Sequence, residues 1–194
     1  MIVALPDGDF QFIALDVETA NGDSASICQI GIACVKQDGV IQTWSTYIDP
    51  QVPFAQFNTN LHGIGPETVR NAPSFSKVWP TLLPLLARHA MIQHSRFDEH
   101  AIKAACKSCG LPRARLSWHD SVSIARAAWP ELKGNGGHGL ANLKKVLDLE
   151  FHHHDAGEDA RAAAMVVLRA QDVPQGSSVI DALRLKPIQL SWPF

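Results

Sequence analysis

Three strand-like segments in succession, followed by helical segments that alternate with short apolar runs, predict an α/β or α+β domain. Length and composition agree with that class. The chain has 194 residues, enough for one domain or one domain with a tail, and a chain of this size buries about 70% of its unfolded surface without staples. Hydrophobic content is 46% and charged content 19%, the balance of an ordinary soluble globular protein.

Residues 12–17 form an apolar run closed by acids and read as a buried strand. Residues 27–35 are apolar at nearly every position, and Gln37-Asp38-Gly39 separates them from a partly alternating segment, 40–48. Two such runs across a short Asp-Gly turn predict a hairpin, so the chain opens with three antiparallel strands. Residues 49–66 read as loop, with one helical turn at 66–69. Ser74 is positioned to cap a helix through Val78, Leu82, Leu85 and Leu86, against the opposition of Pro80 and Pro84. Residues 90–93 form a short apolar strand, and 97–109 a helix that ends at Gly110. A strand at 116–119, a helix at 121–129 stopped by Pro130, a glycine-rich loop at 134–139 and helices at 140–147 and 157–170 complete the series. Beyond Asp172, proline, glycine and serine accumulate and the chain ends in an apolar segment, 183–194, so residues 173–194 read as a C-terminal tail.

The formal net charge of −2 argues against a broad electrostatic nucleic-acid binder. It leaves room for an enzyme that meets phosphates through bound cations. Four cysteines (Cys28, Cys34, Cys106 and Cys109) form no disulfide framework. The N-terminus lacks a basic segment and a long apolar core, so no signal peptide is expected. No stretch approaches the ~20 apolar residues of a membrane span. The expected setting is cytoplasmic and reducing, with no membrane partner.

Asp16-Val17-Glu18 closes the first strand. Alternation along a strand puts both carboxylates on one side, where they repel unless a cation lies between them. Asp98 and Asp159 each fall in the first turn of a predicted helix, a position that the helix dipole alone would explain. Taken together, however, the motifs follow a recognisable order: FIALDVETA, then LHGIGPETVRNAPSF, then IQHSRFDEHAI, then HHDAGEDA. This order resembles the DEDDh (DnaQ-like) 3′–5′ exonuclease family, which includes RNase T and the proofreading exonuclease subunit of bacterial DNA polymerase III. The family patterns are close to a strand followed by D-x-E-T, to H-N-A-x-F-D and to H-x-A-x-x-D-A, with H-G-I recurring in the connector. The resemblance covers roughly residues 10–170. Two departures stand out: Gln93-His94-Ser95 replaces His-Asn-Ala, and the GNGGHG loop is longer than in compact members.

The resemblance implies an exonuclease domain over residues 1–172 with a ribonuclease-H-like α/β fold: a central mixed five-stranded sheet, three antiparallel strands first, flanked by helices. It implies that Asp16, Glu18, Asp98 and Asp159 converge as metal ligands and catalytic residues. Hard carboxylate oxygens suit two Mg²⁺ or Mn²⁺ ions, which would activate a water and stabilise the leaving 3′ oxygen. The family spacing makes His154 the general base and puts His152 and His153 out of register. Thr19 and Ala20 would meet the terminal sugar through their backbones. His62 is divided between a contact with the 3′ end and a structural role, and Phe97 between the core and the terminal nucleotide. Gln29 is expected near the site, with Asp155 and Glu158 solvent-facing or just behind it. The expected substrates are 3′ ends, single-stranded DNA first and RNA second. A homodimer and a DNA polymerase partner are left open by the resemblance.

Two readings compete with hydrolysis. A zinc module could use Cys106-x-x-Cys109 and the triple histidine, but the two cysteines lie in a helical pattern and no second C-x-x-C follows. A catalytically silent nucleic-acid-binding relative would keep the fold, yet all four acids and the histidine are present. A third alternative keeps the chemistry and makes the chain a proofreading subunit. Trp118 and Trp129 are candidate stacking platforms, with the core as the commoner role, and Arg113 and Arg115 could form a small basic patch.

Overall fold

The computed structural model describes residues 4–112, 115–150 and 154–182. At its centre lie strands β1 (Phe12–Thr19), β2 (Ile27–Val35), β3 (Ile41–Tyr47), β4 (Ala90–Gln93) and β5 (Ser117–Asp120), in the order β3-β2-β1-β4-β5. The first three pair antiparallel, whereas β4 and β5 add in parallel. Parallel addition needs a crossover, and the helices supply it: α1 (Gln56–His62), α2 (Pro66–Val69) and α3 (Phe75–Leu86) precede β4, and α4 (Phe97–Ser108) precedes β5. After β5 come α5 (Ser121–Ala128), a 3₁₀ turn (Pro130–Leu132), α6 (Leu140–Val146), α7 (Ala156–Gln171) and α8 (Pro174–Ala182). This is the mixed five-stranded α/β architecture of the ribonuclease-H-like fold, as the resemblance implied.

The alternation of β1 sorts the two layers. Ile13, Leu15 and Val17 pack with Val78, Trp79, Leu82 and Leu86 of α3 and with Ala101, Ile102 and Cys106 of α4. Phe12 and Ala14 face the other way, into Ile124 and Ala128 of α5 and Ala160, Ala163, Ala164 and Val167 of α7. Asp16 and Glu18 continue this second row, so they emerge beside the start of α7.

A missing side chain lets α7 come that close. Gly31 pairs with Asp16 on one side and with Ser45 on the other. A Cβ on Gly31 would lie 2.2 Å from the carbonyl carbon of Ala156 and 2.3 Å from the nitrogen of Gly157. The first turn of α7 therefore rests on the sheet where β2 has no side chain, and the alanine-rich face behind it stays in close contact. Gly157 reproduces the constraint from the helix side: its Cβ would be 3.1 Å from that of Ser45.

Two elements depart from the sequence reading, and α3 follows it as a helix in spite of its prolines. Gln56–His62, expected as loop, is helical; it buries no residue and so carries no apolar stripe to read. The helix α3 runs through both Pro80 and Pro84. Both prolines are exposed, so the carbonyls they leave unpaired face water while Phe75, Val78, Trp79, Leu82, Leu85 and Leu86 stay buried. Ser74 occupies the cap position without a capping bond; its hydroxyl lies 3.0 Å from that of Ser76. Within the segment read as a tail, Pro174–Ala182 is helical and packs against α5 and α7. Gly176 permits this, because a Cβ there would lie 2.3 Å from the Ala170 carbonyl oxygen. The apolar segment 183–194 lies outside the described residues.

Gly31→Ala is expected to cost at least about 2 kcal/mol, since overpacking against backbone cannot relax as a flexible side chain does. Gly22→Ala, at an exposed glycine with nothing within 4 Å of its Cβ position, is expected to leave the melting temperature unchanged. Thermal melts of the two variants followed by circular dichroism check this, and equal melting temperatures would show that α7 does not rest on Gly31.

Candidate active site

Short strands leave donors and acids together at one end of the sheet. The parallel pairing of β4 with β1 covers Ile13–Met91 and Ala14–Ile92. The Val17 N–H lies beyond it and donates instead to Asp98 Oδ1 at 3.1 Å. That bond turns the first turn of α4 toward β1 and brings Asp98 to the side of Asp16 and Glu18. Asp16, Glu18, Asp98, His154 and Asp159 line one cleft of about 290 Å³, together with Val17, His94, Ser95, Phe97 and Leu140. Potential ligand atoms of Glu18, His154 and Asp159 all lie within 4.8 Å of one another.

The start of α7 fixes His154 and Asp159 relative to each other. His154 sits in a turn with φ of +69°, a conformation uncommon for residues other than glycine and often found at functional sites. The turn aims its N–H at the Asp159 carboxylate, 2.9 Å away. Five residues of separation are what one turn plus the first helical turn require for this bond. Asp155 caps the helix, accepting from Gly157 N–H at 3.0 Å and Glu158 N–H at 3.1 Å. Its other oxygen accepts from Gln29 Nε2 at 2.8 Å, while Gln29 Oε1 accepts the Ala156 N–H at 3.1 Å. Asp155 thus lies behind the site rather than in solvent, and Glu158 is half-buried.

The cluster is electrostatically expensive without a counter-charge. Burial pushes Asp16 well above the ordinary carboxylate range, and Asp98, Asp159, Glu18 and Asp155 push it further. Burial, then Asp159, Asp98 and Asp155, raise Glu18 to about 8. Burial raises Asp98 to about 7, against the opposing bond from Val17 N–H. Among the described residues lining the cleft there is no lysine or arginine. Four convergent carboxylates with an imidazole beside them form a donor set of the type that hard divalent cations take, and a bound cation would relieve this mutual repulsion.

Comparison with known proteins agrees with this geometry. A family model described as Exonuclease, that of RNase T, matches residues 13–167. The chain belongs to this exonuclease family. Among curated relatives, DNA polymerase III PolC-type from Caldanaerobacter subterraneus subsp. tengcongensis is 30% identical over 163 residues. The match takes in 82% of this chain, which spans only 11% of the length of that relative. Among solved structures, exonuclease X in complex with 5′ overhanging duplex DNA superposes with a TM-score of 0.67 at 19% identity, covering 87% of this chain and 98% of that one. The nuclease domain of 3′hExo, a DEDDh family member bound to rAMP, superposes at 0.68 with 15% identity, covering 95% and 99%. These two likenesses carry the fold; the ordered motifs carry the DEDDh assignment.

The remaining residues of this exonuclease domain divide between contact and support. The Thr19 carbonyl accepts from Asn58 Nδ2 at 3.0 Å and meets His62 Nε2 at 3.1 Å. His62 Nδ1 accepts from Ile64 N–H at 3.0 Å, which puts the ring proton on Nε2. Burial lowers the His62 pKa in spite of the Thr19 bond. Both ring nitrogens are thus committed inside the protein. The Ala20 N–H donates to Ser26 O, and its carbonyl accepts from Ala55 N–H, each at 2.8 Å. Phe97 is 45% exposed on the cleft wall, so of its two anticipated settings the core is the one not taken.

Cleft residues not anticipated as site residues are Val17, His94, Ser95 and Leu140. His94 Nδ1 lies 2.9 Å from Ser121 Oγ, and its Nε2 lies 3.0 Å from the His138 carbonyl, which ties the glycine-rich loop to the end of β4. The one available signal was His94 standing where the family has asparagine. Trp118 and Trp129 pack against core clusters, and so does Cys106, whereas Cys109 is exposed. His152, His153 and Arg113 lie outside the described residues. Among the described residues no helix is long and apolar enough to cross a membrane.

The raised carboxyls fix the sign of a pH effect. Glu18 rises from an ordinary 4.5 to about 8, and Asp98 from 3.8 to about 7. The folded state then holds more protons than the unfolded state between these limits, so stability of the metal-free protein is full below about pH 4 as far as these groups go and declines up to about pH 8. Melting temperature in EDTA is expected to fall from pH 5 to pH 8, and Asp16→Asn to flatten the fall. A melting temperature that holds steady or rises over this range would mean that the carboxylates do not repel as described.

Proposed function

We propose that this chain is a metal-dependent 3′–5′ exonuclease that releases 5′-mononucleotides, preferring single-stranded DNA 3′ ends and accepting RNA. The observation that carries this reading is the convergence of Asp16, Glu18, Asp98 and Asp159 with His154 on one cleft. The four carboxylates would hold two divalent cations, Mg²⁺ or Mn²⁺. Such ions lower the pKa of water and neutralise charge on a phosphodiester.

The chain itself supplies a base and a position. The His154 imidazole takes a proton from the water that attacks phosphorus, the P–O3′ bond breaks, and the departing 3′ oxygen takes up a proton. An imidazole suits this role because its ordinary pKa lies near neutrality. The backbone bond from His154 to Asp159 keeps the base and the fourth acid in one rigid unit. Of the two residues expected at the terminal sugar, Ala20 is fully buried with both backbone groups bonded inside the protein, so the proposed contact falls to Thr19, whose carbonyl is braced by His62 and Asn58. Phe97 offers an exposed ring on which an unpaired base can stack. A cleft of about 290 Å³ is near the lower end of ligand pockets, which favours one frayed nucleotide over a base pair. A cytoplasmic setting belongs to the same reading.

A proofreading role beside a DNA polymerase is the second reading. It is favoured by the 30% identity to a protein named DNA polymerase III PolC-type, of whose length this chain spans 11%. In that case the isolated chain would hydrolyse weakly and gain from a polymerase partner. A homodimer is compatible with either reading.

The test is incubation of 5′-labelled DNA and RNA oligonucleotides, single- and double-stranded, with Mg²⁺, Mn²⁺ or EDTA. Stepwise shortening from the 3′ end in metal, and none in EDTA, is expected. His154→Ala is expected to lose roughly 10²–10⁴-fold in rate while still gaining thermal stability from Mn²⁺. An unchanged rate in that variant would remove His154 as the base. Asp16→Asn is expected to lose turnover and much of the Mn²⁺-induced rise in melting temperature; a full rise would exclude Asp16 as a ligand.

A further inference from the structure

Gln29 is 3% exposed and pairs directly with Glu18 in the β1–β2 register, so the two side chains share the face under α7. Its amide faces neither solvent nor another strand. Nε2 donates to Asp155 Oδ2 at 2.8 Å, and Oε1 accepts the Ala156 N–H at 3.1 Å. One planar amide therefore holds two consecutive residues of the α7 entry, immediately after His154 and shortly before Asp159. Two residues along β2, Gly31 sets how closely α7 approaches the sheet. Gln29 adds what close packing alone lacks, a fixed register of the helix start along the strand.

We propose that Gln29, paired with Asp155, is a positioning residue for the hydrolytic site: it sets where His154 and Asp159 stand relative to Glu18. The inference rests on the exonuclease reading. It also accounts for the residue type. A side chain here must donate to a carboxylate and accept from a backbone N–H at once. Glutamate would oppose Asp155 with a second charge, and methionine would satisfy neither group.

The donor and acceptor pattern can be exchanged across the pair. Gln29→Glu alone sets two carboxylates against each other. Asp155→Asn alone sets two amides against each other, so that in every orientation either a bond to Gln29 or the bonds that cap α7 are lost. Combined, the two changes restore both bonds: the introduced carboxylate accepts from Ala156 N–H and from the introduced amide, whose oxygen still caps α7. The formal charge of the pair is unchanged.

The experiment measures kcat and KM on a single-stranded oligonucleotide, and separately the Mn²⁺-induced rise in melting temperature, for the full chain and the variants Gln29→Met, Gln29→Glu, Asp155→Asn and the double exchange. Each single variant is expected to lose kcat by at least about tenfold, the scale at which residues behind a metal site act, with KM little changed and a smaller Mn²⁺ shift. The double exchange is expected to recover both. A double variant no better than the worse single one overturns the pairing, and Gln29→Met with parental kcat and Mn²⁺ shift overturns the role. If Gln29→Met does not fold, the exchange decides by itself. If the parent hydrolyses nothing, the exonuclease reading fails while the Mn²⁺ shift still tests the positioning.

Discussion

The seating of α7 on the sheet at Gly31 is the constraint on which the site depends. Asp16 and Glu18 belong to β1, whereas His154 and Asp159 belong to the entry of α7, and they meet only because β2 has no side chain opposite Asp16. Ordinary helix-on-sheet spacing would open a gap between the two pairs of residues. The alanines on the inner face of α7, at 160, 163, 164 and 170, extend the same close approach along the helix. The geometry of the candidate site is thus set largely by which side chains are small.

The second governing feature is accumulated negative charge. Asp16, Glu18 and Asp98, crowded by one another and by the Asp159 carboxylate, oppose folding at neutral pH in the absence of cations, as their upward shifts indicate. Among the described residues lining the cleft, which include no lysine or arginine, hydrogen bonds from the backbone orient these groups. Val17 N–H holds Asp98, and His154 N–H holds Asp159. Backbone donors orient a carboxylate without neutralising it, which keeps the charge available for a divalent ion. Lysine or arginine in the cleft would stabilise the metal-free protein and compete with metal.

The strands, most of the helices and the five residues that converge on the cleft were legible in the sequence, for separable reasons. Continuous apolar runs mark β1 and β2 because both of their faces are covered. Asp16 and Glu18 share a face by alternation alone. Elements without an apolar pattern stayed hidden: α1 buries nothing, and its Asn58 and His62 act by hydrogen bonding to Thr19. In α3 the exposure of both prolines outweighed their usual effect, because the helix loses two hydrogen bonds only on its wet side. Phe97 was ambiguous because a phenylalanine at a helix start packs equally well inward or against a cleft, and only its neighbours decide.

By itself, the sequence determined the chemistry: which acids and which histidine are present, in what order, and on what kind of element each one sits. Those properties are local, carried by side-chain identity, periodicity and spacing. Only the tertiary structure decided how the residues meet. The bond between Gln29 and Asp155 joins positions 126 residues apart, and the contact of Gly31 with Ala156 joins positions nearly as distant. Such contacts follow from the folding of the whole chain into one close-packed body, in which the size and hydrogen-bonding pattern of a side chain matter only in relation to the element laid against it.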